Sequence, residues 1–171
     1  MNTYGRNGES PLHIAVFKNN LRDAKLLIKQ GVEANCLDLC RTTPLHVAAM
    51  RGNLTMVLLL EPHYKKLPSN LVWSCIQGND GDVFEELLSK GMEIGPLSWR
   101  QLGVYSTPLH IAAANQDINE DIFNSLWDTC HRVQNFRGET PVLIAELRAN
   151  ERFIELASAR RPNTPQTLSP P

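Results

Sequence analysis

Apolar residues near the start of the chain recur at the spacing of one helix face. These positions are Leu21, Ala24, Leu27 and Ile28. Such spacing predicts an amphipathic helix with one buried face. Gly31 follows directly and supplies the left-handed residue that commonly ends a helix.

A shorter helix is predicted just before this amphipathic one. Ser10 is placed to cap its first turn, and Pro11 falls at the first helical position, where its missing N–H costs nothing. The small side chain of Ala15 lets neighbouring elements approach this helix closely. The polar residues from Val32 to Arg41 indicate a turn or hairpin. One unit therefore consists of a hairpin, a helix, a turn and a second helix.

The phrase that starts the short helix recurs along the chain. It is Ser-Pro-Leu-His-Ile-Ala at residues 10–15, and close copies stand at 43–48 and 107–112, with a worn copy at 140–145. Pro11 and Pro44 are 33 residues apart, as are Pro108 and Pro141, whereas 64 residues separate Pro44 from Pro108. The long interval is expected to hold one more unit. A period of this length is typical of a solenoid, whose repeats form an extended binding surface.

The hidden third unit is located by aligning Gly91 with Gly31. Leu71 then takes the place of Pro11, and Cys75 that of Ala15. Asp82 and Glu85 have capping-box spacing ahead of the second helix. In this alignment six residues are missing before the unit and four are added after it. We expect the projecting hairpin between repeats two and three to be absent, and a longer loop over residues 92–106.

These patterns predict an all-α solenoid of about five helix-turn-helix units, with a degenerate third unit that lacks a regular preceding hairpin. We expect one domain over residues 1–161 and a disordered Pro/Thr/Ser tail over residues 162–171. The expected repeats span residues 4–36, 37–66, 67–99, 100–133 and 134–161.

The phrase at residues 8–15 and its fuller copy at 43–52 resemble the ankyrin repeat family, and the resemblance extends from residue 4 to about residue 158. Asp38 also stands where the family has its hairpin aspartate. The resemblance implies that the Thr and His of the phrase hydrogen-bond within and between repeats, which gives His13, His46 and His110 structural roles. It further implies a protein–protein binding scaffold.

Composition limits the other functions. A net charge of -1 argues against a nucleic-acid binder, which needs a concentrated excess of Lys and Arg. No apolar stretch approaches the length of a membrane span, and residues 1–5 lack the order of a signal peptide. The four cysteines lack disulfide-framework spacing, which favours the cytoplasm or the nucleus. We expect a chain that is monomeric when free and has no membrane partner.

Catalytic and metal motifs are missing from the sequence. None of the usual metalloprotease, paired Cys-x-x-Cys, phosphate-loop or nucleophile-elbow patterns occurs. The three phrase histidines lie in different repeats, too far apart to share an ion. We therefore expect no enzyme activity, no metal and no cofactor.

Candidate partner-binding residues follow from the resemblance, because the hairpin tips and the far ends of the first helices point into the family's concave groove. They are Arg6, Asn7, Glu9, Phe17 and Lys18 in repeat one; Leu39, Cys40, Thr42, Met50 and Arg51 in repeat two; Gln77 in repeat three; Val104, Ser106 and Asn115 in repeat four; and Phe136, Arg137, Glu139 and Arg148 in repeat five. Large apolar residues among them would be binding anchors or would pack into a neighbouring repeat.

Three residues are candidate modification sites. The segment around Asn35 looks like the ankyrin hairpin pattern used by an asparaginyl hydroxylase. Thr164 and Ser169 precede prolines, as proline-directed phosphorylation requires, although any proline-rich tail supplies such pairs by chance.

The resemblance leaves several functions open. The favoured one is an inhibitor or adaptor acting through the groove, similar to the inhibitors of NF-kappa-B or their viral mimics. An alternative is similarity to the ankyrin-type inhibitors of cyclin-dependent kinases, weakened by the regular first helix of repeat two. Another is a substrate-receptor module of a ubiquitin ligase assembly, for which no second docking element is found in residues 150–171.

Overall fold

The structure, a computed structural model, describes residues 5, 7–94, 97–99 and 104–160. These residues form five consecutive helix pairs, which confirms the predicted helical repeat architecture. The helices are α1 (Pro11–Phe17), α2 (Leu21–Lys29), α3 (Pro44–Met50), α4 (Leu54–Leu60), α5 (Leu71–Gly78), α6 (Gly81–Ser89), α7 (Pro108–Ala114), α8 (Glu120–Cys130), α9 (Pro141–Leu147) and α10 (Glu151–Arg160). A 3₁₀ turn, Glu61–His63, follows α4.

The long loop predicted before repeat four contains two short strands, β1 (Leu97–Trp99) and β2 (Val104–Ser106), which pair with each other. The predicted tail lies outside the described residues. Among the helices that are described, none is both long enough and apolar enough to cross a membrane.

The chain divides into two compact units. The N-terminal unit, Met1–Leu97, contains α1 to α6; there α1 packs against α2 and α3, and α3 against α4 and α5. The C-terminal unit, Ser98–Pro171, contains α7 to α10; there α7 packs against α8 and α9, and α10 packs against both α8 and α9. The grouping of all five repeats into one domain stays a prediction.

A histidine in the first turn of a first helix makes contacts through both of its ring nitrogens. In α1 the Ser10 hydroxyl lies 2.8 Å from His13 Nδ1, and the Ser10 backbone N–H donates to the same nitrogen over 3.2 Å. The other ring nitrogen, Nε2, lies 2.9 Å from the Thr42 carbonyl in the next repeat. Since a carbonyl only accepts, Nε2 carries the proton and Nδ1 is an acceptor. The ring therefore accepts a hydrogen bond at the cap of its own helix and donates one to the hairpin of the next repeat.

The same arrangement recurs in the C-terminal unit. Thr107 and His110 form the capping box of α7, and His110 Nε2 donates to the Glu139 carbonyl over 3.0 Å. These histidines are almost fully buried. The structural roles implied for the three phrase histidines are thus seen directly.

Repeat three departs from this scheme where the deletion was predicted. Residues 64–70 alone join the 3₁₀ turn to α5, so no hairpin lies before α5. His46 instead donates from Nε2 to the side-chain oxygen of Asn70, 2.9 Å away. An asparagine side chain thus supplies the acceptor that a hairpin carbonyl supplies in the other repeats. Helix α5 begins at Leu71, the position aligned with Pro11.

Each second helix is capped by an Asn or Asp side chain that accepts from the third helical N–H. The caps are Asn20, Asn53, Asp80, Asn119 and Asn150. The expected cap of α6 by Asp82 and Glu85 was wrong, because Asp80 accepts from the Val83 N–H over 2.9 Å and Asp82 lies inside the helix. An aspartate does cap this helix, but it lies two residues before the predicted one.

Small buried residues let the first helices approach closely within each unit. They are Ala15, Ala48 and Cys75 in the N-terminal unit and Ala112 and Ala145 in the C-terminal unit, none more than 6% exposed. Burial raises the pKa of the Cys75 thiol to about 12, so this thiol stays protonated as a small apolar group. Between α3 and α5 the approach is closer still, since a Cβ on Gly78 would collide with the Ala49 carbonyl.

The last repeat is tied to its neighbour by charged and polar contacts. Arg152 pairs with Glu120 over 3.0 Å, and Arg160 reaches both Asp128 and Asn124 of α8. These charged and polar side chains join α10 to α8.

The Asn70 contact predicts a stability effect. Replacing Asn70 with Ala leaves the His46 Nε2–H without its acceptor, which should lower the free energy of unfolding by about 1–3 kcal/mol. Urea denaturation followed by circular dichroism measures this. Ser69→Ala is the control, because Ser69 is exposed and precedes Asn70 in the chain. This substitution should change the free energy of unfolding by less than about 0.5 kcal/mol. Equal effects of the two substitutions would contradict the proposed contact.

A pH effect follows from the buried histidines. Burial lowers the pKa of His46 and of His110 below the ordinary value of 6.5. The unfolded chain then takes up protons at a higher pH than the folded chain. This contribution to stability is complete above about pH 6.5 and is lost as the pH falls below it.

The urea concentration at the unfolding midpoint should therefore decrease as the pH is lowered from about 7.5 to about 5.5. Most carboxylates stay ionised over this range. His63→Gln serves as control and should keep the drop, because His63 is exposed on the 3₁₀ turn. A midpoint that is constant or rises on acidification would show that His46 and His110 are not held neutral.

Candidate protein-binding surface

The candidate surface begins with three hairpin loops of the same construction. They span residues 5–9, 38–42 and 135–139, and in each the first backbone N–H donates to the last carbonyl over 2.9–3.0 Å. The fourth residue of each loop donates back to the first carbonyl and has a positive φ: Gly8 at 75°, Arg41 at 60° and Gly138 at 73°. Arg41 thus adopts a conformation that the other two loops assign to glycine.

Side chains make these loops rigid. The Asp38 carboxylate accepts from the backbone N–H groups of Cys40 and Thr42, at 2.9 and 2.8 Å. Asn135 does the same for Arg137 and Glu139. Asp38 therefore closes the second hairpin loop through its side chain.

Successive hairpins in the N-terminal unit are bonded to each other. The Leu39 N–H donates to the Asn7 carbonyl over 2.9 Å, and the Leu39 side chain lies over Gly8. Leu39 is nevertheless 78% exposed. It is an apolar side chain at the tip of a fixed hairpin.

The ends of the first helices add a second row of exposed side chains. Phe17 is 61% exposed and Met50 45% exposed, at equivalent positions of α1 and α3. The Arg51 guanidinium lies 5.0 Å from the centre of the Phe17 ring, a cation–π contact that joins repeats one and two. We name as the N-terminal surface Asn7, Phe17, Lys18, Leu39, Met50, Arg51 and Gln77, all of which are exposed.

The C-terminal unit carries a smaller set. Phe136 is 52% exposed, with the Arg137 guanidinium 5.3 Å from its ring centre. Leu147, 68% exposed, ends α9 at the position equivalent to Phe17. Sequence reasoning selected the neighbouring Arg148 and missed Leu147, although counting six residues from Pro141 would have found it.

Several candidate residues help to hold the scaffold. The Glu9 carboxylate accepts from the Asn7 backbone N–H over 2.9 Å, and this bond lowers its pKa. The Thr42 carbonyl accepts from Asp38 and His13. The Asn115 carbonyl accepts from the Asn150 side chain. Ser106 is half-buried at the end of β2. Their part in binding stays a prediction.

Other candidate positions are less informative. Arg6, Thr164 and Ser169 lie outside the described residues, as does the side chain of Val104. Asn35 is exposed in the turn that follows α2, where a modifying enzyme would find it accessible. Its hydroxylation stays a prediction.

One cluster has the residue types of a nucleophilic site. The Cys36 thiol lies 3.1 Å from the Ser10 hydroxyl and 3.8 Å from His13 Nδ1. His13 Nδ1 already accepts the Ser10 backbone N–H, so a proton placed on this nitrogen would face another N–H. The ring therefore lacks the freedom of a general base, and the cluster belongs to the helix cap. Within the described residues, no group of His, Cys, Asp and Glu side chains could hold a metal ion.

Comparison with known families matches residues 1–70 to the model described as "Ankyrin repeats (3 copies)". The matched residues include the hairpins and helices of repeats one and two.

Three relatives are similar to parts of the chain. Human "Transient receptor potential cation channel subfamily A member 1" is 30% identical over 62% of this chain and 10% of the relative. Chicken (Gallus gallus) "NF-kappa-B inhibitor alpha" is 36% identical over 32% of this chain and 17% of the relative. Zebrafish (Danio rerio) "Notch-regulated ankyrin repeat-containing protein B" is 35% identical over 35% of this chain and 54% of the relative.

The chain thus covers less than two thirds of each of these relatives. The matched family model, the recurrent hairpin loop and the histidine bond from one repeat to the next agree with one another. Residues 1–70 therefore match ankyrin repeats, and the helix pairs after residue 70 have the same two-helix repeat fold.

Proposed function

We propose that this chain is a protein-binding scaffold that acts as an inhibitor or adaptor by occupying a partner's surface. One observation carries the proposal: the N-terminal surface holds Phe17, Leu39 and Met50 exposed on rigid elements, with Arg51 stacked on Phe17. Aromatic, Met and Arg side chains supply most of the binding energy in protein interfaces. Such a set on fixed helix ends loses little entropy when it binds.

The first candidate partner is NF-kappa-B, by analogy with the chicken relative named as its inhibitor. Alignment over 17% of that relative supports this only as a hypothesis to test. The ankyrin scaffold itself supports a role in binding without catalysis. All four cysteines are free thiols, which supports a reducing compartment, the cytoplasm or the nucleus.

Affinity purification followed by binding titration tests the surface. The double variant Phe17→Ala/Met50→Ala should weaken capture of the main protein partner by about 30-fold or more, equivalent to about 2 kcal/mol. A matched control is Leu26→Ala/Leu58→Ala, since these leucines are 52% and 49% exposed but lie on the second helices. The control should change affinity by less than about twofold.

Equal retention of the partner by both double variants would remove the N-terminal surface as the binding site. Titration with a recombinant NF-kappa-B dimer tests the narrower hypothesis separately. Failure to bind that dimer, with other partners still lost on Phe17→Ala/Met50→Ala, would leave the scaffold role intact and exclude NF-kappa-B.

A further inference from the structure

The ends of α1 and α3 share one surface site in the N-terminal unit. The two helices pack against each other, and Phe17 and Met50 are their last residues, at equivalent positions of repeats one and two. Arg51 follows Met50, and its guanidinium lies 5.0 Å from the centre of the Phe17 ring. A positive charge and an exposed aromatic ring from neighbouring repeats are therefore in contact.

The Arg51 side chain retains hydrogen-bonding capacity at this site. A guanidinium is always charged in proteins and carries several N–H donors in one plane. Within the part of the chain that the structure describes, the Arg51 side chain has the contact with Phe17 but no hydrogen bond and no ion pair. The Asp80 carboxylate, which lies beside Gly52, instead accepts from the Val83 N–H at the start of α6. Arg51 thus presents an unpaired charge at an exposed position.

A position at a helix end gives Arg51 a structural role as well. Lys18 and Arg148 hold the equivalent position after α1 and α9, and positive charge there stabilises a helix C-terminus. That role requires only a charge, which lysine and arginine supply equally. It does not account for the contact with Phe17, and a cation–π contact at an exposed site stabilises the fold only slightly. The ring contact and the unused donors together indicate a binding role.

The contact with Phe17 restricts the Arg51 side chain before a partner arrives. A free arginine loses much rotamer freedom when it is immobilised in an interface, and a guanidinium already held over a ring loses less. A carboxylate can then pair with its N–H donors in a bidentate arrangement.

The surroundings of Arg51 favour an acidic and apolar partner segment. Phe17 is still 61% exposed and Met50 is 45% exposed, so apolar side chains of a partner can pack next to the guanidinium. Lys18, which is exposed and follows Phe17 in the chain, adds positive charge at the end of α1. Like charges across an interface repel, so these two cations disfavour a basic partner.

We propose that Phe17 and Arg51 form a carboxylate-binding site, at which a protein partner places an Asp or Glu side chain beside a large apolar one. The carboxylate accepts hydrogen bonds from the Arg51 guanidinium, and the apolar side chain packs on Phe17 and Met50. This inference rests on the proposed scaffold function and specifies the chemistry of the bound segment. It makes Arg51 the residue that selects acidic segments over neutral and basic ones.

Linear peptides displayed on phage provide the probe, with the whole chain as target. The library is first depleted on the Arg51→Gln variant and then selected on the unchanged chain, so that the retained peptides depend on Arg51. These peptides should carry Asp or Glu next to Phe, Leu or Trp. Synthetic copies are then titrated against each variant by isothermal titration calorimetry.

A double-mutant cycle tests the carboxylate contact directly. Replacing the acidic residue of the peptide with its amide should weaken binding to the unchanged chain about tenfold. The same replacement should change binding to the Arg51→Gln variant by less than about twofold, because the interaction is already absent there.

Two further substitutions separate the contribution of charge from that of the ring contact. Arg51→Lys keeps the charge at the end of α3 but loses the planar donors, so it should weaken binding about three- to tenfold. Phe17→Leu stays apolar but cannot hold the guanidinium, and should weaken binding about threefold. Arg22→Lys, at an exposed arginine of α2, is the matched control and should keep affinity within about twofold. The urea midpoint should be the same for Arg51→Lys and the unchanged chain.

Several results would overturn the carboxylate site: selection of no peptides, selection of peptides without an acidic residue, or equal loss from the amide replacement in both chains. Affinity unchanged by Arg51→Lys would do the same. A peptide that binds more than about tenfold tighter with phosphoserine at the acidic position would identify a phosphate site instead.

The two proposals fail separately. A cellular partner that is lost with Phe17→Ala/Met50→Ala but bound equally by the Arg51→Gln variant upholds the scaffold function and removes the carboxylate site.

Discussion

The structure depends on one imidazole ring with two bonds. In α1 and α7 the histidine accepts from its own helix cap through Nδ1 and donates through Nε2 to the carbonyl that ends the next hairpin. The same side chain thus makes a hydrogen bond within its own helix cap and another to a residue about thirty positions further along the chain. In these two repeats the bond therefore joins the start of the first helix to the following hairpin, at Thr42 and at Glu139.

Repeat three shows how the bond constrains variation. A repeat without a hairpin has no backbone carbonyl in the required place, and a buried donor without an acceptor is costly. Asn70 supplies an amide oxygen at 2.9 Å from His46, so the deletion is tolerated. Helix α5 still packs against α3, with the buried Cys75 at the position of Ala15 and Ala48. The loss is confined to the projecting part of the repeat.

Local signals predicted the fold well. Proline at the first helical position, together with a preceding Ser or Thr, located four first helices to the residue, and alignment on Gly91 located the fifth at Leu71. Both signals work because they describe backbone geometry that one or two residues determine. The start of α6 was missed by two residues because Asp80 and Asp82 are chemically equal as caps. The alignment of Gly91 with Gly31 distinguishes them, because it places Asp80 on Asn20, the cap of α2.

Contacts between distant residues were beyond this reasoning. Nothing near Asn70 in the sequence indicates that it bonds to His46, and nothing near Arg51 indicates that it lies over Phe17. The candidate surface shows the same division: exposure at Phe17, Leu39 and Met50 followed from the repeat register, whereas the structural roles of Glu9 and Thr42 required the hairpin hydrogen bonds.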